Sequence, residues 1–301
     1  MITVFGSTNL DQIGTVPRLP QPGETVAGGV FSMAAGGKGA NQALAARRAG
    51  APVRHVSAVG KDSFADAALA LLDAAGVGLG AVRHADSTTG IAMIFVDGAG
   101  ENVIAVLPGA NGTITPADAE TALAGLGSDD ILLVQQEIPQ PATRHALELA
   151  RAQGVTSVLN TAPFLADTAA IAPLASIVVA NETEFALLSG RPETELDAAM
   201  ADWAARHDQI LIVTLGGAGV KAIAGGKLFA IPALPIKPVD TVGAGDTFCG
   251  YLAAGLDAGL DLQAALRRAA AAGSLACLKA GAQPAIPSAA EVDAALAGQS
   301  A

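Results

Sequence analysis

The stretch Val239-Asp240-Thr241-Val242-Gly243-Ala244-Gly245-Asp246-Thr247-Phe248 holds the residue types and spacing best suited to chemistry. Gly243, Ala244 and Gly245 are nearly bare backbone. An acid follows at once, and Phe248, Leu252 and Leu256 recur every four residues. That pattern predicts a tight turn opening a helix. The first amides of a helix have no partner inside it, and the peptide dipoles make that end positive. A phosphate can therefore rest on the N–H groups there, with Asp246 beside it as a carboxylate placed to accept a proton. Taken alone, the same residues also describe a capped helix after a glycine turn, so the rest of the chain must decide.

Other candidates follow short apolar runs. Asn9 and Asp11 come just after Ile2–Phe5 and, two apart on an extended chain, point the same way. An amide beside a carboxylate suits a vicinal diol; an Asx turn is the alternative. Gly36-Gly37-Lys38-Gly39-Ala40-Asn41-Gln42 is not a Walker loop, because Gly39 follows the lysine, nor a GxGxxG motif, because Gln42 replaces the third glycine. Its glycines permit close backbone approach to a ligand, and Lys38 and Asn41 lie at a helix start facing the same pocket. Glu137 follows the apolar run Ile131–Val134. Asn181 and Glu184, three apart at a helix start, are neighbours. They could hold a hydrated Mg²⁺ that touches phosphates, or simply cap the helix. Thr214-Leu215-Gly216-Gly217-Ala218-Gly219 offers a second bare turn for a nucleotide. His55, His84, His145 and His207 show neither metal spacing nor a nucleophile partner.

These groups need a scaffold that sets strand ends along one rim. Strand-like runs at 2–5, 53–59, 131–134, 155–159, 177–179 and 210–214 alternate with helical patterns, which predicts a mostly parallel sheet with helices on both faces. Residues 12–34, with three prolines, and a hairpin around Asp97-Gly98-Ala99-Gly100 interrupt the alternation. They predict a small sheet that covers a site, with Ala92, Ile94 and Val106 inward. The expected organisation is one domain over 1–301, with a lid inserted from about 10–34 and 88–109.

The chain has 301 residues, of which 51% are hydrophobic and 3% aromatic, enough apolar material for a large core of close-packed helices. A net charge of −11 argues against nucleic acid and anionic membrane as partners. Cys249 and Cys277 read as buried free thiols of a reducing compartment. The start carries no basic segment, and no apolar run reaches the roughly 18 residues that span a bilayer, so a soluble cytoplasmic protein is expected.

The motifs together carry a resemblance. Asn9-Leu10-Asp11, Pro22-Gly23-Glu24-Thr25, Gly36-Gly37-Lys38-Gly39-Ala40-Asn41-Gln42, Gly100-Glu101-Asn102-Val103-Ile104, Asn181-Glu182-Thr183-Glu184, Thr214-Leu215-Gly216, Asp240 to Phe248 and Gly281-Ala282-Gln283-Pro284 occur in the order seen in the ribokinase family of sugar kinases, over the whole chain. The resemblance implies a ribokinase-like three-layer α/β sandwich with a small β-sheet lid. It implies ATP-dependent phosphorylation of the ribose 5-hydroxyl. By that match Asn9, Asp11, Gly37, Lys38, Asn41 and Glu137 hold the sugar, and Asp246 takes the proton. The amides of Gly243, Ala244 and Gly245 form the anion hole. Asn181, Thr214, Gly216 and Gly219 match ATP-site positions, and Glu184 the acid that acts on Mg²⁺ indirectly. A monovalent-cation site, K⁺ in the family, would use Asp240 and the carbonyls of Val242, Ala276, Lys279 and Gly281. The lid often clasps a second subunit, implying a homodimer. The chain departs at Ala285, where close relatives carry a serine on the cation, and at Ala269-Ala270, which lacks a polar side chain towards the adenine.

Other readings are a same-fold kinase for fructose, 2-keto-3-deoxygluconate, adenosine or pseudouridine, and a non-catalytic sugar-binding regulator. Scarce aromatics near the sugar segment disfavour a nucleoside. An intact Lys38, Glu137 and Asp246 speaks against a regulator, and the missing GxGxxG against a nicotinamide dehydrogenase.

Overall fold

Strands buried on both faces read as unbroken apolar runs, and the main sheet is encoded that way. The computed structural model describes residues 1–298. In chain order its strands are β1 (Ile2–Phe5), β2 (Asn9–Thr15), β3 (Phe31–Gly36), β4 (Val53–Gly60), β5 (Gly78–Ala85), β6 (Ile91–Val96), β7 (Asn102–Leu107), β8 (Ile131–Val134), β9 (Thr156–Asn160), β10 (Ile177–Asn181), β11 (Ile210–Thr214), β12 (Val220–Ala224) and β13 (Lys227–Ile231). The helices are α1 (Lys38–Arg48), α2 (Ser63–Ala74), α3 (Pro116–Leu123), α4 (Gln140–Gln153), α5 (Thr168–Ile171), α6 (Glu182–Ser189), α7 (Leu196–Arg206), α8 (Ala244–Asp257), α9 (Leu262–Ala276) and α10 (Ala289–Gly298).

The main sheet runs β13-β12-β11-β10-β9-β8-β1-β4-β5. Every pairing from β5 to β11 is parallel, and β12 and β13 add an antiparallel hairpin at one edge. Ile131 and Leu133 of β8 enter the core built with α1, α8 and α9, whereas Leu132 and Val134 enter the core built with α3, α4 and α7. Successive strand side chains alternate between faces, so one short run feeds two layers. All of these side chains are buried, and burial of each contributes about 1.5–3 kcal/mol. Because the central strands are parallel, their carboxyl ends share one rim, where ligands of such sheets bind.

Small residues set how closely the helices approach. Ala40, Ala43, Ala45 and Ala46 of α1 and Ala269 to Ala272 of α9 are buried. Gly250 of α8 lies hard against α1: a Cβ there would fall 2.5 Å from Ala45 Cβ and 2.6 Å from the Gln42 carbonyl oxygen. On the α9 side, a Cβ at Gly255 would lie 3.0 Å from Ala265 Cβ. The low aromatic content is thus the composition of helices packed backbone to backbone. This approach brings the N-terminal turns of α1 and α8 to the same point of the rim.

The small sheet runs β3-β2-β6-β7, with β2 and β6 parallel and both outer pairs antiparallel. Ala92 is buried and Ile94 partly so, as expected, but Val106 is 50% exposed. Every residue of β7, the outer strand of this sheet, is exposed. Phe31, Met33, Met93, Phe95, Val103 and Ile104 are also exposed. Three further expectations need correction. β5 escaped the sequence reading, since Gly78 and Gly80 break its apolar alternation. Thr25–Ala27, a short apolar piece expected among edge strands and turns, forms no strand, and α9, expected over 262–279, ends at Ala276, with Cys277 as its C-cap.

Gly250→Ala is expected to lower stability by about 1–3 kcal/mol, because the atoms it meets are backbone or Cβ and cannot swing aside. Urea unfolding measures it, and a variant as stable as the parent would contradict the packing described.

Candidate active site

Gly243 precedes α8 in the left-handed conformation, φ 74°, and a Cβ there would meet Ala282 at 2.9 Å. Gly245 is different. It is helical and exposed, and a Cβ there would meet nothing within 4 Å. Glycine inside a helix costs about 1 kcal/mol relative to alanine. Neither packing nor backbone conformation requires it at 245, so the position leaves its amide open to an approaching group. Asp246, one residue on, is buried in the first turn.

Both oxygens of the Asp246 carboxylate accept from side-chain amides of α1. Asn41 Nδ2 donates to Oδ2 at 2.9 Å and Gln42 Nε2 to Oδ1 at 2.9 Å. Gln42 Oε1 accepts from Gln135 Nε2 at 2.6 Å, and Gln42 Nε2 also reaches Asn160 Oδ1 at 3.2 Å. Asn41 Oδ1 is buried without a hydrogen-bond partner among the described residues. The N-terminus of α1 is closed by Glu137: its Oε2 accepts from the Lys38 backbone N–H at 3.0 Å and from Ser7 Oγ at 2.6 Å. Ser7 Oγ accepts in turn from the Gly39 N–H. A carboxylate at that end also answers the helix dipole.

Asn9 is fixed by Asn111, whose Nδ2 donates to Asn9 Oδ1 at 2.8 Å while its Oδ1 accepts from the Thr8 N–H at 2.9 Å. Only glycine fits at position 90, where a Cβ would fall 2.4 Å from Asn9 Oδ1. Asp11 is half-buried over Gly36, whose missing Cβ makes room for the carboxylate; its Oδ1 has no partner among the described residues. Burial, and then the negative charges of Glu137 and Asp246, push Asp11 up to about 7, against an opposing N–H from Ala92. Asp246, followed by Glu137 and Glu184, holds the Lys38 ammonium above its usual value despite burial. Asp11, Lys38, Asn41, Glu137 and Asp246 thus form one linked cluster, and Asn9 adjoins it through Gly37, which packs on the Ser7–Asn9 backbone.

A cleft of ≈ 320 Å³ adjoins it, lined by Thr214, Gly216, Gly219, Ala244 and Gly245 together with Leu234, Ile236, Phe248 and Ala270. Its mainly apolar wall suits a flat base, and it ends on the first amides of α8. Cys277, expected to be buried, borders this cleft half-exposed. Asn181 and Glu184 lie outside the cleft lining. Asn181 is paired in register with Thr214 on the next strand. Asn181 Oδ1 accepts from the Glu184 N–H at 2.7 Å, and Glu184 Oε2 accepts from the Asn181 N–H and from Thr161 Oγ1. This is the helix cap that the sequence left open as an alternative. Those bonds fall on one oxygen of Glu184, and no group of three or more metal-binding side chains occurs among the described residues. That donor set fits an ion held through water.

Asp240 gathers its loop: Oδ1 accepts from the Val242 N–H at 3.0 Å and Oδ2 from the Gly281 N–H at 2.8 Å. Ala276 and Lys279 are joined through one turn, and Ala285 is buried with no side-chain oxygen. A carboxylate is a donor that suits a monovalent cation, and position 285 gives one side-chain oxygen fewer than a serine would.

The sequence reading assigned no role to Ser7, Gln42, Asn111, Gln135 or Asn160. Gln135 and Asn160 follow or end strands, so the rule that found Glu137 applies to them. Gln42 shows as a polar residue in a run of buried alanines.

A family model described as pfkB family carbohydrate kinase matches residues 1–289. A ribokinase of Bacillus subtilis (strain 168) is 39% identical over 295 residues, 97% of this chain and 98% of the relative. The solved structure of Arabidopsis thaliana ribokinase complexed with ribose and ATP superposes with a TM-score of 0.88 at 30% identity, covering 98% of both chains. That of the Cryptococcus neoformans var. grubii serotype A ribokinase in complex with ADP gives 0.83 at 35% identity, over 97% and 98%.

The Asp11 environment sets a pH signature. Unfolded, the carboxyl loses its proton near its ordinary value, about 4; folded, it keeps it to about 7. Between those values the folded state binds more protons, so this group's contribution to stability falls as pH rises through that window. The melting temperature of ligand-free Asp11→Asn should therefore gain on the parent by roughly 2 °C or more between pH 5 and 7.5. A constant difference would contradict the assignment.

Proposed function

The chain belongs to the pfkB family of carbohydrate kinases, and from that footing we propose that it transfers the γ-phosphate of ATP to the 5-hydroxyl of D-ribose. The observation that carries this reading is the position of Asp246. Its carboxylate joins the cluster of Asn9, Asp11, Lys38, Asn41 and Glu137, one residue beyond the amides that end the apolar cleft.

Asn9, Asp11, Gly37, Lys38, Asn41 and Glu137 hold the sugar, with the unpaired oxygens of Asp11 and Asn41 as acceptors for its hydroxyls. Asp246 takes the proton of the attacking hydroxyl. The N–H groups of Gly243, Ala244 and Gly245 meet the charge on the transferring phosphoryl group, whose loose transition state spreads charge over its equatorial oxygens. Each such donor is worth about 3–4 kcal/mol. ATP lies along Thr214, Gly216 and Gly219, with Asn181 at its phosphate end. Mg²⁺ would neutralise phosphate charge when bound, and Glu184 is the residue that would hold it through water. Asp240 and the carbonyls of Val242, Ala276, Lys279 and Gly281 would hold a monovalent cation, K⁺, with weakened dependence because of Ala285.

Residues 1–301 act as one kinase domain, and the segments at about 10–34 and 88–109 form a lid over the sugar. The exposed apolar face of that lid, on which Phe31, Met33, Met93, Phe95 and Val103 stand in register, supports a homodimer, since monomers seldom expose patches of that kind. A solution mass of one chain would contradict it. No described helix is long and apolar enough to cross a membrane, and the free thiols of Cys249 and Cys277 suit a reducing cytoplasm.

Replacing Asp246 by alanine should lower kcat about 10²–10⁴-fold while ribose binding stays within a few-fold. Equal loss of both would make its role structural. ADP release measured with ribose, 2-deoxyribose, fructose, 2-keto-3-deoxygluconate, adenosine and pseudouridine, with and without K⁺, tests the acceptor. Ribose should give the highest kcat/KM, and a better acceptor in that panel would overturn the assignment.

A further inference from the structure

We propose that Gln42 is the residue that positions the Asp246 carboxylate, held in turn by Gln135 and Asn160; the role rests on the reading of Asp246 as the base. Gln42 is fully buried and so does not reach the pocket. Its Nε2 donates to Asp246 Oδ1 at 2.9 Å and to Asn160 Oδ1 at 3.2 Å, and its Oε1 accepts from Gln135 Nε2 at 2.6 Å. A side-chain amide has one donor end and one acceptor end. Reversed, Gln42 would turn its oxygen on the carboxylate and its NH₂ on that of Gln135. The Gln135 donation therefore decides which end meets Asp246.

Asn160 is oriented by the same logic: its Nδ2 donates to the Val179 carbonyl at 3.3 Å, which leaves Oδ1 for Gln42. Gln135 follows β8, Asn160 ends β9 and Val179 lies in β10, so three adjacent strands fix one amide. Gly6 makes room for it, since a Cβ there would fall 2.0 Å from Gln135 Oε1. Asn41 holds the other carboxylate oxygen but is also a proposed sugar contact. Gln42 has no second task, so its clamp on Oδ1 persists whatever the pocket contains. The charged or titratable groups that act electrostatically on the same centre are Lys38 of α1, Asp11 of β2, Glu137 after β8, Glu184 of α6 and Cys249 of α8. A neutral exchange at 42 leaves all of them in place.

A base misplaced by about 1 Å can cost on the order of 10²-fold in rate. In the full-length protein, Gln42→Met keeps the length of the side chain and removes its hydrogen bonds. Its kcat for ribose should fall about 10–100-fold while KM for ribose stays within about 3-fold. Introduced into Asp246→Asn, the same exchange should change kcat less than about 3-fold, because its effect passes through the residue already removed. Equal losses in both backgrounds, a KM change without a kcat change, or no change at all would overturn the proposal. Gln135→Met, one contact further out, tests the same chain if Gln42→Met does not fold; it should lower kcat roughly 3–10-fold with KM unmoved, and a parental kcat there would refute the relay. If Asp246→Asn keeps the parental kcat, the base assignment itself fails. If it loses kcat while Gln42→Met does not, only the positioning role fails.

Discussion

The structure depends on the contact between α1 and α8. At Gly250 the two helices lie closer than any side chain on that position would allow, and α1 there presents mainly alanine. Their first turns consequently meet at the carboxyl rim of the sheet. A carboxylate on one helix can then bond two amides on the other. The site is therefore a product of helix packing as much as of the loops that carry its glycines. Packing and the site draw on the same residue, since the Gln42 carbonyl that limits Gly250 belongs to the residue whose side chain meets Asp246.

Electrostatics then set what the rim can hold. Asp11, Glu137 and Asp246 share a partly buried space with one ammonium, Lys38. Acids of one sign in a low-dielectric site cannot all ionise freely, and the structure answers in two ways. Glu137 is satisfied by the N-terminus of α1, and Asp11 keeps its proton to about 7. Donors from a sugar diol would relieve the second arrangement, because a carboxylate that accepts hydrogen bonds is favoured over its neutral form. On the phosphate side the carboxylate of Asp240 is turned onto the amides of Val242 and Gly281, away from a role as a charge beside the phosphate.

Much of this was legible before the structure. Parallel strands announce themselves as apolar runs followed by polar residues, and Asn9, Glu137 and Asn181 were found through that rule, whereas Asp246 was found through the bare turn that opens its helix. β5 was missed because its glycines hide the period, and Val106 was placed inward because the exposed face of β7 cannot be told from a buried one by alternation. Gln42 was visible only as part of a motif. Its partners Gln135 and Asn160 lie 93 and 118 residues away, and no local pattern encodes a contact at that distance. A cap such as the Thr115–Asp118 box is a local interaction that sequence spacing encodes, whereas amide networks between strand ends are tertiary.

On the proposed reading one carboxylate and three backbone amides converge on the atom being transferred. A crystal structure of the protein with ribose, ADP and aluminium fluoride tests it directly. The account predicts an Asp246 oxygen within about 2.6–3.2 Å of the 5-hydroxyl and amide nitrogens of residues 243–245 about 2.7–3.1 Å from the fluoride ligands. A 5-hydroxyl turned towards another base, or a fluoride group seated away from the start of α8, would contradict it.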